Sequence, residues 1–372
     1  MALNSSSFHF CIFVLVAFFI HPILCTSSHE RPQASLFVFG DSLFDPGNNN
    51  YINTTTEFQA NWQPYGQSFF KYPTGRFSDG RLIPDFIAEY ANLPLIPSYF
   101  EIGKQHFVHG VNFASGGAGC LVETHRGFVI DLNTQLKYFR KVAKLLKKKV
   151  GKTESKQILS SAVYIFSSGG NDYLAPLSTN STTNSYPERE YLQMIMGNLT
   201  SVLKGIYKEG GRKFAMLNMV AIGRLPNIRA LNVQKGVKNG NFIEEITNLT
   251  KMHNSALPEM LKQLEKKLPG FKYTLFNLFK VFAESIDNPT KYGFKTSKRA
   301  CCGTGPFRGI YSCGGKRQVK EYKLCKKVKD YLFFDSFHPT ERAYQQYAKV
   351  LWNGTPDVVA PYNLKSFFEL ST

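Results

Sequence analysis

Short runs of bulky apolar residues recur along this chain, and three of them end in a turn of small and polar residues. Leu36–Phe39 precedes Gly-Asp-Ser, Phe107–Phe113 precedes Ala-Ser-Gly-Gly, and Ala162–Phe166 precedes Ser-Ser-Gly-Gly-Asn-Asp. Runs of this length that end at glycine and polar residues are typical of buried strands. Two further strands are predicted at Lys213–Asn218 and Tyr273–Asn277.

Segments with helical periodicity separate these runs. In the clearest one, apolar residues recur three or four positions apart from Leu136 through Val142 to Leu146. Strands and helices that alternate at this spacing indicate an α/β fold with a parallel, doubly wound sheet and helices on both faces. The predicted helices are Leu82–Tyr90, Thr134–Lys149, Glu188–Glu209, Asn241–Lys266 and Thr340–Trp352.

Ser42 lies where such a sheet carries its chemistry, in the turn after the carboxyl end of the first strand. The turn alone also has a structural explanation, since Asp41 or Ser42 can cap a following helix. A serine hydroxyl becomes a good nucleophile when a histidine takes its proton and a carboxylate orients that histidine. Asp335 and His338 supply both groups within one short turn. The three residues are therefore candidates for a proton-transfer chain, and the alternative is that His338 merely starts a helix beside Pro339.

Candidates for an oxyanion hole follow the first three predicted strands. Ester hydrolysis passes through a tetrahedral oxyanion, and the loss of one hydrogen-bond donor to it typically costs about 10² to 10³ in rate. Suitable donors are the backbone N–H groups of Ser42 and Gly116 and the side-chain amide of Asn171, with Gly117 as an alternative to Gly116. Each also has a structural explanation: the glycines suit a tight turn, and Asn171 can cap a helix.

The first 25 residues predict export. They contain no charged residue, and their apolar core, Phe10–Ile20, is too short to cross a bilayer, which favours a signal peptide over a membrane anchor. We expect cleavage between Leu24 and Ser28 and an extracellular protein. Five acceptor sequences for N-glycosylation lie beyond this segment, at Asn53, Asn180, Asn198, Asn248 and Asn353.

Four cysteines cluster near the carboxyl-terminal end, at positions 301, 302, 313 and 325. In an exported chain they predict two disulfides, crosswise or nested, because a bond between the neighbours Cys301 and Cys302 would be strained. A zinc site is the alternative, which the lack of a Cys-x-x-Cys pair and of a nearby histidine disfavours. Cys120 is left as a free thiol, interpreted as a small buried hydrophobe, and no metal is expected.

The formal net charge is +18, and much of it comes from lysine runs at 141–149 and 326–329. The periodicity of the first run favours the solvated face of an amphipathic helix, with a weak attraction to acidic polysaccharide or anionic lipid as a secondary effect. An exported chain has little access to nucleic acid, so we expect no nucleic-acid partner.

Four blocks of the sequence resemble, in order, those of the GDSL esterase/lipase family, also called SGNH hydrolases. They are Gly40-Asp-Ser-Leu43, Gly116 in Asn-Phe-Ala-Ser-Gly-Gly, Gly169-Gly-Asn-Asp172 and Asp335-Ser-Phe-His338-Pro339. The chain is similar to the plant branch, through Asp45-Pro-Gly-Asn-Asn-Asn, Pro73-Thr-Gly-Arg-Phe-Ser-Asp-Gly and Cys301-Cys-Gly-Thr-Gly.

The resemblance implies a single domain over residues 26–372 with a three-layer α/β/α, flavodoxin-like fold. It implies a secreted serine esterase or lipase of the cell wall or apoplast, acting on acyl esters without a cofactor and linked to plant defence. By resemblance Ser42 is the nucleophile, His338 the base and Asp335 the residue that orients it, while Gly116 and Asn171 join Ser42 in the oxyanion hole.

Two other functions remain open at this stage. One is acyl transfer, in which an alcohol replaces water at the acyl-enzyme; the steps up to that intermediate are the same, so no residue separates it from hydrolysis. The other is a wall-binding or lipid-binding protein without catalysis, which the four intact blocks disfavour.

Overall fold

A mostly parallel sheet organises the fold in the computed structural model, which describes residues 34–101, 107–178, 186–234, 236 and 244–371. These residues contain seven strands: β1 (Leu36–Gly40), β2 (Val163–Ser167), β3 (Lys213–Leu217), β4 (Lys272–Phe276), β5 (Cys302–Gly303), β6 (Lys323–Leu324) and β7 (Val359–Ala360). One sheet has the order β1-β2-β3-β4-β7, and β5 pairs with β6 in a small second sheet. β1 to β4 run parallel, whereas β7 is antiparallel to β4.

Helices flank the sheet in two groups, which confirms the predicted α/β architecture. α1 packs against α9, while α5 packs against both α2 and α7. No helix among the described residues is long and apolar enough to cross a membrane. The described helices are α1 (Ile83–Tyr90), α2 (Leu132–Val150), α3 (Lys152–Ser161), α4 (Gly170–Ser178), α5 (Glu188–Lys208), α6 (Pro226–Gln234), α7 (Glu244–Lys267), α8 (Leu278–Asp287), α9 (Glu341–Asn353) and α10 (Leu364–Glu369).

Strands β1 and β2 are apolar without the alternation of a half-exposed strand. Every residue of β1 and β2 is buried, because helices cover both faces of the sheet. The two strands pair in register from Leu36 opposite Val163 to Gly40 opposite Ser167. Both strands therefore end at the same level, and the turns that follow them lie side by side.

The prediction of a strand at Phe107–Phe113 is wrong. Phe107–His109 forms a single 3-10 turn, and Asn112 makes only isolated bridges, to Val38 and to Ser98. Gly110 interrupts the ladder: its φ is +124°, and a Cβ built there would collide with the Leu36 carbonyl oxygen. The chain nevertheless runs beside β1, since Phe113 N donates to Val38 O at 2.8 Å. The Ala-Ser-Gly-Gly turn is thereby brought to the carboxyl end of β1.

Helix α2 begins two residues earlier than predicted. The Asp131 side chain accepts a hydrogen bond from Thr134 N at 3.0 Å, which caps the helix at its amino end. Leu136, Phe139 and Leu146 are buried, whereas the lysines at 141, 144 and 147–149 are exposed. The lysine run is thus the solvated face of an amphipathic helix.

Two nested disulfides hold the cysteine-rich segment. Cys302 is bonded to Cys313 inside the larger loop closed by Cys301 and Cys325. The prediction of two disulfides within this segment is confirmed, and these four sulfurs are not available as metal ligands. Cys120 is a buried free thiol, and burial raises its pKa well above the usual value, which makes it a poor nucleophile.

Candidate active site

Ser42 lies in a tight turn directly after β1. Asp41 N donates to Ser167 O at 3.1 Å, so the turn is fastened to the end of the neighbouring strand. The Asp41 side chain accepts from Leu43 N, also at 3.1 Å. Burial raises the pKa of Asp41 to about 7, with the nearby Asp172 carboxylate adding to the effect. Ser42 itself remains half-buried, with its hydroxyl turned towards a histidine from the far end of the chain.

The structure brings Ser42, His338 and Asp335 together. His338 Nε2 is 2.8 Å from Ser42 Oγ, and His338 Nδ1 is 2.8 and 2.9 Å from the two oxygens of Asp335. Since the carboxylate can only accept, Nδ1 carries the proton and Nε2 accepts from the serine hydroxyl. This is the tautomer that a general base requires.

Asp335 is fully buried, yet it is held as a carboxylate. Burial opposes its ionisation, but His338, the Arg317 charge and the Tyr65 hydrogen bond together lower its pKa below the usual value. Its Oδ1 accepts from the backbone N–H groups of Phe337 and His338, and its Oδ2 accepts from the Tyr65 hydroxyl at 2.7 Å. These contacts fix both the charge and the orientation of the group that orients His338.

Arg317 is a buried cation that sequence analysis did not single out. Its guanidinium lies 3.6 Å from the centre of the Tyr311 ring and donates to the Tyr311 hydroxyl at 2.7 Å. It also donates to Cys313 O at 3.0 Å, so the disulfide-bonded segment positions it. A buried arginine near a buried carboxylate stabilises the ionised carboxylate. No motif signalled this role, because the local sequence does not show that the chain brings Arg317 near Asp335.

The predicted oxyanion donors differ in whether their N–H groups are already used in hydrogen bonds within the protein. No described group accepts a hydrogen bond from Ser42 N, and Asn171 uses Nδ2 to reach Ala118 O at 2.9 Å, which leaves its second N–H. Gly116 N, in contrast, donates to Asp45 Oδ2 at 2.8 Å. Gly117 lines the cavity beside Ser42, and no described group accepts from its N–H. The geometry therefore favours Gly117 over Gly116 as the glycine donor.

A cavity of about 940 Å³ opens over Ser42 and His338. Its inner wall is apolar, and its rim is polar, with Glu57, Glu123 and Arg126. The sequence alone does not reveal the inner wall, because α6 is short and has no clear periodicity. The wall comes from α4, from the segment after β3 and from α6, and includes Leu174, Met219, Val220, Ile222, Leu225, Ile228 and Leu231.

His253 is a second buried histidine, close to the turn that carries Asn171. Its Nδ1 is 3.2 Å from the Tyr173 hydroxyl, and its ring lies against Gly169. Burial lowers the pKa of His253 to about 3, so the imidazole is neutral in the folded protein. In the unfolded chain the same side chain titrates near 6.5.

We expect this histidine to weaken the protein in acid. Below pH ~6.5 the unfolded chain binds a proton that the folded protein does not, so the free energy of unfolding falls as the pH drops from about 6.5 towards about 3. The loss from this one group is at most ~1.4 kcal/mol per pH unit. His253→Gln should therefore lose less stability between pH ~7 and ~5 than the unchanged protein in urea unfolding. Equal losses in both proteins would contradict this assignment.

Comparison with known proteins gives one consistent match. A family model described as GDSL-like Lipase/Acylhydrolase matches residues 36–351, a range that includes Ser42, Asn171, Asp335 and His338. GDSL esterase/lipase 2 of Arabidopsis thaliana is 52% identical over 343 residues, which cover 91% of this chain and 90% of that protein. GDSL lipase of Tanacetum cinerariifolium is 48% identical over 370 residues, which cover 99% and 96%.

Proposed function

Because the chain belongs to the GDSL-like lipase/acylhydrolase family, whose members act on ester bonds, we propose that it hydrolyses esters of apolar acyl groups through an acyl-enzyme on Ser42. The observation that carries the proposal is the 2.8 Å contact between His338 Nε2 and Ser42 Oγ. This contact supports the proposal because the imidazole can take the hydroxyl proton, and Asp335 contacts its other nitrogen.

The reaction follows from this geometry in two halves. Ser42 Oγ attacks the ester carbonyl while its proton passes to His338 Nε2, and the carbonyl oxygen becomes an oxyanion facing Ser42 N, Gly117 N and Asn171 Nδ2. The bond to the alkoxy group then breaks, and the alcohol leaves with the proton from His338. Water repeats the sequence: it gives a proton to His338 and attacks the acyl carbon, and Ser42 leaves with that proton.

The inner wall of the cavity supports an apolar acyl group as the substrate. Leu225 directly before α6, Ile228 on α6 and Leu174 on α4 all line it. Burial of each methylene is worth about 0.8 kcal/mol, so a chain that fills this space gains binding energy with length. Lipid esters fit this description, and a role in plant defence stays a prediction.

A panel of p-nitrophenyl esters tests the proposal. We expect kcat/KM to rise with acyl length and then to level off once the cavity is filled. A fluorophosphonate should label one serine, Ser42, in a stoichiometric reaction that stops turnover. Added alcohols will measure how much acyl group is transferred instead of hydrolysed. A purified, folded protein that neither cleaves any ester nor reacts with the fluorophosphonate would overturn the proposal.

Replacing Ile228 should change the preference for acyl length. Ile228 is buried on α6 and lines the cavity, so Ile228→Phe fills space that a long acyl chain needs. We expect kcat/KM for a long-chain ester to fall about tenfold while a short-chain ester is little affected. Ile228→Ala is the matched control, because it enlarges the same space and should not disfavour long chains. A uniform loss for all chain lengths in the Phe variant would contradict this assignment.

We propose secretion as well. Two disulfides and the exposed glycosylation candidates Asn53, Asn248 and Asn353 support it, since both features suit an oxidising secretory route. Asn198 is half-buried in α5, where its Nδ2 donates to Met194 O, so it is a poorer acceptor. The predicted signal peptide and Asn180 lie outside the described residues. Amino-terminal sequencing and glycosidase treatment of protein collected from the culture medium would test this.

The exposed lysines of α2 support a weak, non-specific attraction to acidic wall polysaccharide or anionic lipid. Such an attraction should vanish at high salt.

A further inference from the structure

The glycine that faces the cavity sits at the third position of a tight turn. Ala118 N donates to Ser115 O at 3.0 Å, which closes a β-turn over residues 115–118. Gly117 has φ of +82°, the value that a type II turn needs at this position. In a turn of this kind, a flip of the central peptide interconverts type I and type II geometry. The central peptide here joins Gly116 to Gly117, so its orientation decides where Gly117 N–H points.

Asn49 holds the oxygen of that central peptide. Its Nδ2 donates to Gly116 O at 2.9 Å, and the side chain is almost completely buried. The same amide donates to Phe58 O at 2.7 Å, and its Oδ1 accepts from the Ser115 hydroxyl at 2.5 Å. All three contacts leave Asn49 little freedom to move. They come from the Asp-Pro-Gly-Asn-Asn-Asn segment directly after the Ser42 turn.

The neighbouring peptides are held as well. Asp45 Oδ2 accepts from Gly116 N at 2.8 Å, and His125 Nδ1 donates to Gly117 O at 2.8 Å. A trans peptide places its C=O and N–H on opposite sides. With Gly116 O turned towards Asn49, the Gly117 N–H is turned away from Asn49. No described group accepts from this N–H, and Gly117 lines the cavity with Ser42, Asn171 and His338.

We propose that Asn49 is a positioning residue for the oxyanion hole, which fixes the Gly116–Gly117 peptide so that Gly117 N–H faces the reacting carbonyl oxygen. The inference rests on the proposed hydrolysis at Ser42. Asn49 does not line the cavity and has no described hydrogen bond to Ser42, so its effect should be confined to the donor that it orients. Donors fixed in advance stabilise the transition state more than the bound ester, because negative charge on the oxygen develops only in the transition state.

Two inhibitors separate this role from general stability. A long-chain trifluoromethyl ketone adds to Ser42 Oγ, its carbonyl oxygen becomes an oxyanion in the hole, and the serine proton moves to His338. The methyl ketone of the same length binds without adding. In Asn49→Leu we expect trifluoromethyl ketone affinity and kcat to fall about 10- to 100-fold, while KM and methyl ketone affinity stay nearly unchanged. Asn49→Ser, which is smaller and still polar, should show the same split.

Asn48→Leu is the matched control. Asn48 is also buried and also donates two side-chain hydrogen bonds to this segment, but to Asn112 O and Ala114 O instead of Gly116 O. Asn48→Leu should lower the unfolding temperature as much as Asn49→Leu does. It should keep the ratio between the affinities for the trifluoromethyl ketone and the methyl ketone. The proposal is overturned if folded Asn49 variants keep that ratio, or if Asn48→Leu loses it equally. Turnover that survives in Ser42→Ala would instead overturn the proposed function.

Discussion

Ser42→Ala is expected to lower kcat/KM for ester hydrolysis by about 10⁴- to 10⁶-fold, because it removes the atom that bonds to the acyl group. The only described hydrogen bond of Ser42 Oγ is to His338, so the free energy of unfolding should change by no more than about 1 kcal/mol. Kinetics with a p-nitrophenyl ester, together with a thermal unfolding curve, measure both effects. The residual rate reflects what binding and the oxyanion donors achieve without a nucleophile.

Ser336 provides a matched control within the same turn as His338. Its hydroxyl is buried and has no hydrogen-bond partner among the described residues. Ser336→Ala should therefore retain activity close to that of the unchanged protein. Substantial turnover in purified, folded Ser42→Ala would refute the assignment of the nucleophile. An equal loss of activity in Ser336→Ala would show that such losses follow from disturbing the site and not from removing the nucleophile.

His338→Ala is expected to lower kcat/KM nearly as much as Ser42→Ala does. No other group among the described residues accepts a hydrogen bond from the serine hydroxyl. Asp335→Asn should cost no more than His338→Ala, and up to about 10⁴ by analogy with serine proteases. The reason lies in the contacts: an asparagine oxygen can still accept from Phe337 N and His338 N, but its amide then faces His338 Nδ1. An amide at the place of Oδ2 favours an unprotonated Nδ1, and in that tautomer Nε2 carries the proton and cannot accept one from Ser42.

Both changes should lower kcat far more than they raise KM, since the interactions that they remove form mainly in the transition state. Steady-state kinetics on one ester, with unfolding curves for each variant, separate the two quantities. A variant that kept kcat and only raised KM would identify its residue as a substrate contact. The proton-transfer chain would then be wrong.

Local sequence patterns predicted the parts of the fold that depend on local physics. β1 and β2 lie within one residue of the apolar runs that indicated them, because strands covered on both faces are largely apolar. β7 has only two residues and pairs through Val359 with Phe276, so it is too short to show a periodic pattern in the sequence. Phe107–Phe113 was apolar enough for a strand, but the backbone at Gly110 prevents a regular ladder.

Site residues divide in the same way. Ser42, Asp335 and His338 lie in recognisable turns, so their type and position in the chain were informative. The choice between Gly116 and Gly117 depends on a contact with Asp45, which is 71 residues away in sequence. Asn49 acts through Gly116, which is 67 residues away in sequence. Arg317 lies nearer to Asp335 in the chain, but no sequence motif joins the two.

Ser42 and His338 are 296 positions apart in the chain, so they leave the ribosome at different times. Ribosomes release the amino-terminal part of a chain first, so Ser42 emerges long before His338, its base in the proposed mechanism. Throughout that interval the hydroxyl has no base, and the nascent chain cannot acylate itself on esters that it meets. The proton-transfer chain closes only when the turn at residues 335–338 packs against the Ser42 turn that follows β1. In the proposed mechanism, catalytic competence therefore requires a chain that has been synthesised and folded at least as far as residue 338.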